Sequence, residues 1–471
     1  MKYVSTRNRK EKLTASEVII KGIAPDGGLY VPEVMPQFDL TMMGIMPSCS
    51  YQERVAVIIE QFLPEFTEKE IDKAVAAAYN KNNFDVKEIA PVVLLESGTA
   101  VLELWHGPTA AFKDMALQLL PQLLKLAMKK TKDKSKIAIL TATSGDTGKA
   151  ALEGFKNVPG TKIIVFYPFD GVSAVQKQQM VTTEGDNTYV IGCSGNFDDA
   201  QTGVKDIFAD QEFAKELLSK KIKLSSANSI NWGRLLPQIA YYFSAYAEMQ
   251  NHKQIGLSEK LNFVVPSGNF GNILAGYCAK AMGLPINKLI CASNSNNVLA
   301  EFFATGKYNR KRNFMKTISP SMDILVSSNL ERLLFLVSNG DSEKVNSWMS
   351  QLALDGEYSI DPKTAAAIKE VFWADWIDEE DTLHTINKVY FERGYLLDPH
   401  TAVAWRSLER YRKQTGDSTP SVIVSTASPF KFNEAVLGAI GGMEALRGKD
   451  EFQMLETLAK GTGWKIPQPL F

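Results

Sequence analysis

The chain has 471 residues, enough for two or three domains and a large buried core, and its 45% apolar and 22% charged content is that of a soluble globular protein. Its 52 Lys and Arg against 53 Asp and Glu leave almost no net charge, which argues against nucleic acid or an anionic membrane as the main partner but leaves room for a local basic pocket. The four cysteines, Cys49, Cys193, Cys278 and Cys291, show no CxxC or ligand spacing, and the four histidines are equally scattered, so reduced core thiols in a cytoplasmic protein are expected and a metal site is not.

The opening residues lack the apolar stretch of a signal peptide, and no apolar run approaches the roughly 18 residues of a membrane span. Residues 1–95 read as a separate, mainly helical unit. Ser5-Thr6-Arg7 opens it, Pro25-Asp26-Gly27-Gly28-Leu29-Tyr30 makes a tight turn, and helical stretches follow near 51–63 and 67–82, the second started by a cap-like Thr67. The unit reads either as a cap on the main body or as a carrier of Arg7, which would then reach into a site and bind an anion.

Next comes His106-Gly-Pro-Thr-Ala-Ala-Phe-Lys113-Asp114. Gly107-Pro108 is turn chemistry and Thr109 a plausible N-cap. Phe112, Met115, Leu119, Leu120, Leu123, Leu124 and Ala127 then follow helical spacing. Lys113 therefore falls near the first turn of a helix, where the positive end of the dipole and partial burial beside Phe112 would lower its pKa, as a Schiff-base lysine requires. On its own it reads more readily as a surface lysine than as a catalytic one.

Further on, short β-rich runs alternate with helical ones. Strands are predicted at Ile137–Thr141, Lys162–Tyr167, Thr188–Ile191, Asn262–Val265, Leu289–Ala292 and Val422–Ser425. Most lead into a Gly- or Ser-rich turn and a helix, the pattern of an α/β protein with a doubly wound, mostly parallel sheet. Ligands bind such sheets in the turns at the carboxyl ends of the strands. Residues 305–395 read as helical, with Asp378-Glu-Glu-Asp381 as a solvated face.

Among those turns, Val264-Val-Pro-Ser-Gly268-Asn269-Phe270-Gly271-Asn272-Ile273 is the strongest. Two glycines and a helix start make an anion cradle suited to a phosphate, although it is not GxGxxG and no acidic residue follows for a ribose. Thr141-Ala-Thr-Ser144-Gly145-Asp146-Thr147-Gly148-Lys149-Ala150 fails as a Walker A loop at Thr143 and Ala150. What remains is hydroxyls and amides suited to a carboxylate, or an ordinary N-cap. Gly195-Asn-Phe-Asp-Asp199 reads as capping, because two aspartates at a helix start would repel a phosphate. In Ala227-Asn-Ser-Ile-Asn231-Trp-Gly-Arg234, Asn231 and Arg234 are three apart on one helical face, as a phosphate pair or a structural salt bridge would place them. Ser425-Thr426-Ala-Ser-Pro-Phe-Lys431-Phe432 offers hydroxyls to a neutral heterocyclic nitrogen or to a helix start. His106 and His400 read as satisfied core or surface histidines.

Taken together, Ser5-Thr-Arg7, Asp26–Tyr30, His106–Thr109, Phe112–Asp114, Ser144–Gly148, Asn228–Asn231, Ser267–Asn272, Asp398-Pro-His-Thr401 and Ser425-Thr-Ala427 resemble, in order, the threonine synthases of the bacterial and fungal type. The resemblance implies a pyridoxal 5'-phosphate enzyme of the tryptophan-synthase β-subunit fold class. Two open, doubly wound, mostly parallel α/β sheets would hold the cofactor between them, beside the small helical N-terminal domain. The implied division is 1–95, a large cofactor domain at 96–130 and 215–471, and a small α/β domain at 131–214.

Lys113 would then be the Schiff-base lysine and main acid–base group. Gly268, Asn269, Phe270, Gly271 and Asn272 would hold the cofactor phosphate, and Thr426 would bond the pyridine nitrogen. Asp146 would lie near the phenolic oxygen, where the family often has Asn, so that a carboxylate there must share a proton or face away. Ser144, Gly145 and Thr147 would take the substrate carboxylate, with Asn231, Arg234 and Arg7 as candidates for the substrate phosphate. The implied reaction turns O-phospho-L-homoserine and water into L-threonine and phosphate, by elimination at Cγ and addition of water at Cβ, in a monomer or homodimer. The alternatives are a related phospho-lyase yielding 2-oxobutyrate, a dehydratase acting on free threonine or serine, and a non-catalytic ligand-binding relative.

Overall fold

The computed structural model describes residues 1–143, 145–169, 171–172, 174–195 and 197–470. Its largest sheet has six strands in the order Phe372–Trp376, Ile286–Ser293, Leu261–Pro266, Ser421–Ser425, Thr99–Glu103 and Val92–Glu96. All neighbours run parallel except the last pair, which is an antiparallel edge. Leu261–Pro266, Ser421–Ser425 and Thr99–Glu103 are buried at every residue. Alternate residues feed opposite faces: Leu102, Phe263, Val265, Val422 and Val424 join one core, while Val101, Val264 and Ile423 join a second. Helices cover both faces, so these strands read as nearly unbroken apolar runs.

A second sheet is wholly parallel, in the order Thr188–Cys193, Thr161–Pro168, Lys136–Ala142 and Ile222–Ser226. Its last strand lies beyond residue 214, where the small unit was expected to end. The half-exposed run Ile-Lys-Leu-Ser-Ser reads as a strand only once Lys136–Ala142 is beside it. The six predicted strands all form, while Val92–Glu96, Thr99–Glu103, Ile222–Ser226 and Phe372–Trp376 went unread.

The N-terminal segment pairs Tyr3–Ser5 with Tyr30–Pro32 and then builds helices Ala15–Lys21, Leu40–Ile45, Tyr51–Phe62 and Glu68–Ala78. Thr14/Glu17, Ser50/Glu53 and Thr67/Glu70 form reciprocal capping boxes at three of these starts. Val18, Ile19, Val55, Ile59 and Phe62 belong to the same core as the large sheet, so this unit packs directly on the body. The helix Trp232–Asn251 runs through that core with nearly every residue buried, as an all-round apolar helix must.

Residues 305–395 are less helical than expected. Lys307–Asn309 pairs antiparallel with Glu357–Ser359, and Phe372–Trp376 is an edge strand of the large sheet. The acidic run is more than a solvated face: Asp378 caps the Glu379–Arg393 helix, and Asp381 pairs with Arg410 at 2.5 Å. No helix among the described residues is long and apolar enough to cross a membrane.

Candidate active site

Three neighbouring strands of the large sheet end together and deliver the site. Leu261–Pro266 leads into the Ser267–Phe270 loop and the helix Gly271–Ala281; Ser421–Ser425 leads into Thr426; Thr99–Glu103 leads into the segment carrying Lys113. The last two segments are stitched together, with the Phe112 N–H donating to the Thr426 carbonyl at 2.8 Å and the Ser428 N–H to that of Ala110 at 3.0 Å. Phe112, Lys113, Thr147, Arg234, the 266–273 loop, Ser321, Asp323, His400 and Thr426 line one cavity. This is where ligands meet open parallel sheets.

Lys113 lies at the N-cap position of a helix of only four residues, Asp114–Leu117, and a second helix, Leu120–Thr131, restarts with Pro121 in its first turn. Thr109 is not the cap. Its N–H and hydroxyl both donate to the Asp114 carboxylate, each at 2.8 Å, because the turn folds the acid back upon it. So short a helix has little dipole, and burial is what chiefly lowers the Lys113 pKa. Asp146 opposes that shift, while Lys431 and Arg234 add to it.

The Lys113 ammonium donates to Asp146 Oδ2 and to Ser321 Oγ, both at 3.0 Å, and lies 4.9 Å from the Phe112 ring centre. Asp146 Oδ1 pairs with Lys431 Nζ at 2.6 Å and accepts from Gln176 Nε2 at 3.1 Å. Asp146 therefore points at the two lysines, with both carboxylate oxygens engaged. Burial would raise its pKa, but the two lysines outweigh burial and hold it well below the usual carboxylate range. Behind Ser321, the His400 Nε2 accepts the Ser321 N–H at 3.2 Å, so its proton sits on Nδ1, facing Asp398 at 2.8 Å.

The 267–272 loop has the marks of an anion cradle. Its outward carbonyls are taken: Ser327 Oγ donates to that of Gly268 at 2.8 Å and Asn329 Nδ2 to that of Asn269 at 2.9 Å. Phe270 holds a left-handed φ of 61°, and Gly271 opens an 11-residue helix whose first amides have no intrahelical acceptor. Tyr241 and Tyr242 donate to Asn272 Oδ1 at 2.6 and 2.8 Å, leaving Asn272 Nδ2 buried with no partner among the described residues. Asn269 Oδ1 is likewise unpartnered. Arg234 is buried, donates to the Ala227 carbonyl at 2.6 Å, and has no partner for Nε among the described residues. Burial pushes its pKa down to about 10. Orphaned donors on a cationic wall, around glycines, fit an anion.

The second turn is shaped for its partners. Gly145 has a φ of +132°, and a Cβ on it would lie 2.5 Å from Gln176. Thr143 Oγ1 accepts the Gly145 and Gly148 N–H groups at 2.9 and 2.7 Å. Thr147 faces the cavity. Ser144 and Asn196 lie outside the described residues.

Two expected site residues do not line this cavity. Asn231 is the N-cap of the Trp232–Asn251 helix: its Oδ1 accepts from Gly233 at 2.9 Å, and its Nδ2 donates to the carbonyls of Ile19 and Ser226. As a cap its side chain is spent on backbone groups, and it does not line the cavity. Arg7 forms a two-pronged pair with Glu331, at 2.9 Å for each contact, so its charge is already met; it too is off the cavity wall. His106 is held between Asp85 and Glu103 at 2.7 and 2.8 Å, outside the site.

Ser321, Gln176 and Lys431 escaped the sequence reading. Lys431 had a signal, since a lysine between Pro429-Phe430 and Phe432 sits in an apolar setting. Ser321 had none, because the bond that makes it matter spans 208 positions.

Three family models match the chain: "Threonine synthase N terminus" at residues 2–79, "Pyridoxal-phosphate dependent enzyme" at 99–372 and "Threonine synthase, C-terminal" at 401–461. The chain is 40% identical to the threonine synthase of Pseudomonas aeruginosa, over 95% of its own length and 92% of that protein. It is 39% identical to the threonine synthase-like 1 protein of Homo sapiens over 93% of its length, but spans only 60% of that longer protein. Among solved structures it is similar to the pyridoxal-phosphate-bound threonine synthase of Brucella melitensis, with 39% identity, a TM-score of 0.85 and coverage of 94% of this chain and 91% of that one.

Proposed function

The chain belongs to the threonine synthase family, and on that premise we propose that it converts O-phospho-L-homoserine and water to L-threonine and phosphate, using pyridoxal 5'-phosphate. The observation that carries the reading is the placing of a buried, pKa-lowered Lys113 beside a cradle with orphaned donors at Asn272 Nδ2 and Arg234 Nε. Bound there, the cofactor would supply an electron sink for a carbanion beside the substrate's amino group.

The chain's own residues supply the rest. Lys113 would hold the cofactor covalently and, once free, take and return the proton at the substrate Cα. Gly268, Asn269, Phe270, Gly271 and Asn272 would bind the cofactor phosphate through backbone amides and Asn272 Nδ2. Thr426, a neutral partner, would meet the ring nitrogen without protonating it, which limits how far a carbanion is stabilised. Asp146, held ionised, would keep Lys113 in place. Ser144, Gly145 and Thr147 would orient the substrate carboxylate, and Arg234 would draw the departing phosphate from Cγ. The buried Lys431, Gln176 and Asp146 leave little room for bulk water beside the amine, so water would reach Cβ from the cavity side.

We divide the chain into an N-terminal unit at 1–95, a large unit that includes 96–130, and a small unit that opens at 131 and runs on to Ser226. We place it in the cytoplasm, in keeping with its four free cysteines, and expect a monomer or homodimer, a state that light scattering reads directly. The function is tested by giving the cofactor-loaded protein O-phospho-L-homoserine and measuring phosphate, threonine and 2-oxobutyrate together. Threonine equal to phosphate supports the reading. Phosphate with 2-oxobutyrate moves the function to a phospho-lyase, and no phosphate removes the substrate assignment.

A further inference from the structure

Lys431 is a lysine with a wholly buried side chain. Its Nζ donates to the Thr109 carbonyl at 2.9 Å and pairs with Asp146 Oδ1 at 2.6 Å. Lys113 takes the other oxygen of the same carboxylate, at 3.0 Å. One carboxylate thus faces two ammonium groups, and it can neutralise only one. A surplus charge in a dry site is costly, so one lysine must release its proton readily.

The geometry decides which. Lys431 has the closer carboxylate contact, a carbonyl as second acceptor and no place on the cavity wall. Lys113 has the longer contact, a hydroxyl as second acceptor and an open face on the cavity. The Phe112 ring gives its charge only weak support. Other charged groups nearby do not reverse the choice. Arg234 on the cavity wall pushes the Lys113 proton off as well. Asp114, on the same segment, is tied to Thr109, and burial lifts its pKa to about 6. Asp323 is engaged with Thr317, Asn294 and Asn296, and His400 reaches Lys113 only through Ser321.

We propose that Lys431 is the positioning residue that frees the Lys113 amine: by claiming the Asp146 charge, it prevents Asp146 from locking the proton on Lys113. The proposal rests on the cofactor reading above. Without Lys431, Asp146 and Lys113 would form a neutral pair, and the amine would stay protonated to higher pH.

The test uses the 471-residue chain freed of cofactor, its folded state checked by circular dichroism. Pyridoxal phosphate is added across a pH series, trapped with borohydride, and the label located at Lys113 by peptide mass. In K431M the pH midpoint of labelling should rise by about one unit, since a neighbouring opposite charge shifts a lysine on that scale. K431Q, which loses the charge but keeps a hydrogen-bonding end, should shift the same way and covers the case in which K431M does not fold. In K431M/D146N the midpoint should return to the wild-type value or below. A merely structural Lys431 would lower the melting temperature without moving the midpoint, and an unshifted midpoint in folded K431Q overturns the proposal. Failure of the wild-type chain to be labelled at Lys113 at all would instead overturn the cofactor reading.

Discussion

Gly268 and Ser321 meet backbone to backbone: a Cβ on the glycine would lie 2.6 Å from the Ser321 carbonyl oxygen. The contact locks the anion cradle to the loop whose hydroxyl reaches Lys113. Neither partner is a flexible side-chain end, so the clash has no inexpensive relief. G268A should therefore weaken pyridoxal phosphate binding by roughly tenfold or more, the effect of an overpacking cost of order 1–3 kcal/mol. A fluorescence titration of the cofactor checks it, and unchanged affinity would detach the cradle from the cofactor.

Removing the Lys113 amine tests the chemistry itself. K113A leaves Asp146 paired with Lys431, so the fold should persist. Borohydride-stable attachment of the cofactor should vanish, and turnover should fall by at least about 10²-fold, the usual loss when an acid–base group is removed. Retained attachment in a folded variant would point to another lysine.

Arg234 separates a ligand role from a structural one. Among the described residues its buried guanidinium has an unpartnered Nε and no carboxylate paired with it, an arrangement that costs stability when nothing is bound. R234M should leave the melting temperature of the cofactor-free protein unchanged or raise it, while raising KM for O-phospho-L-homoserine or weakening cofactor binding by about tenfold, as loss of a charge-assisted bond does. A lower melting temperature with unchanged binding would make it a structural residue.

Arg7 should behave in the opposite way. R7M strands Glu331, which is 7% exposed in its side chain, and so should lower the melting temperature. KM and cofactor affinity should stay within about twofold, because the residue is off the cavity wall. A large rise in KM would restore Arg7 to the substrate site.

His106 gives the protein a built-in pH dependence. Burial would lower its pKa, but Asp85 and Glu103 on either side raise it from 6.5 to about 9. A group whose folded pKa is raised stabilises the fold fully below its unfolded pKa, and loses that contribution as pH climbs through the folded value. H106Q should thus be less stable than the parent near pH 6, with the gap closing between about pH 6.5 and 9. Parallel denaturant melts at several pH values read this directly, and a gap independent of pH would mean that the histidine is not charged in the fold.

Local pattern was enough for the framework. Buried strands such as Leu261–Pro266 are continuous apolar runs, the capping box at Thr67 marks its own helix, and the glycines at 268 and 271 announce a close approach before any partner is known. Each of these signals is carried by residues a few positions apart, and backbone preference and solvent aversion act at that range. The electrostatics of the site belong to another range. Lys431 meets Thr109 across 322 positions, Lys113 meets Ser321 across 208, and Arg7 is claimed by Glu331 across 324. The identity of Asp146, Asn231 and Arg7 was plain in the chain, but whether each stood charged, capped or paired depended on which distant group arrived beside it. Coulomb and hydrogen-bond energies depend on separation in space and on exclusion of water, and both quantities exist only once the sheets have closed around the site.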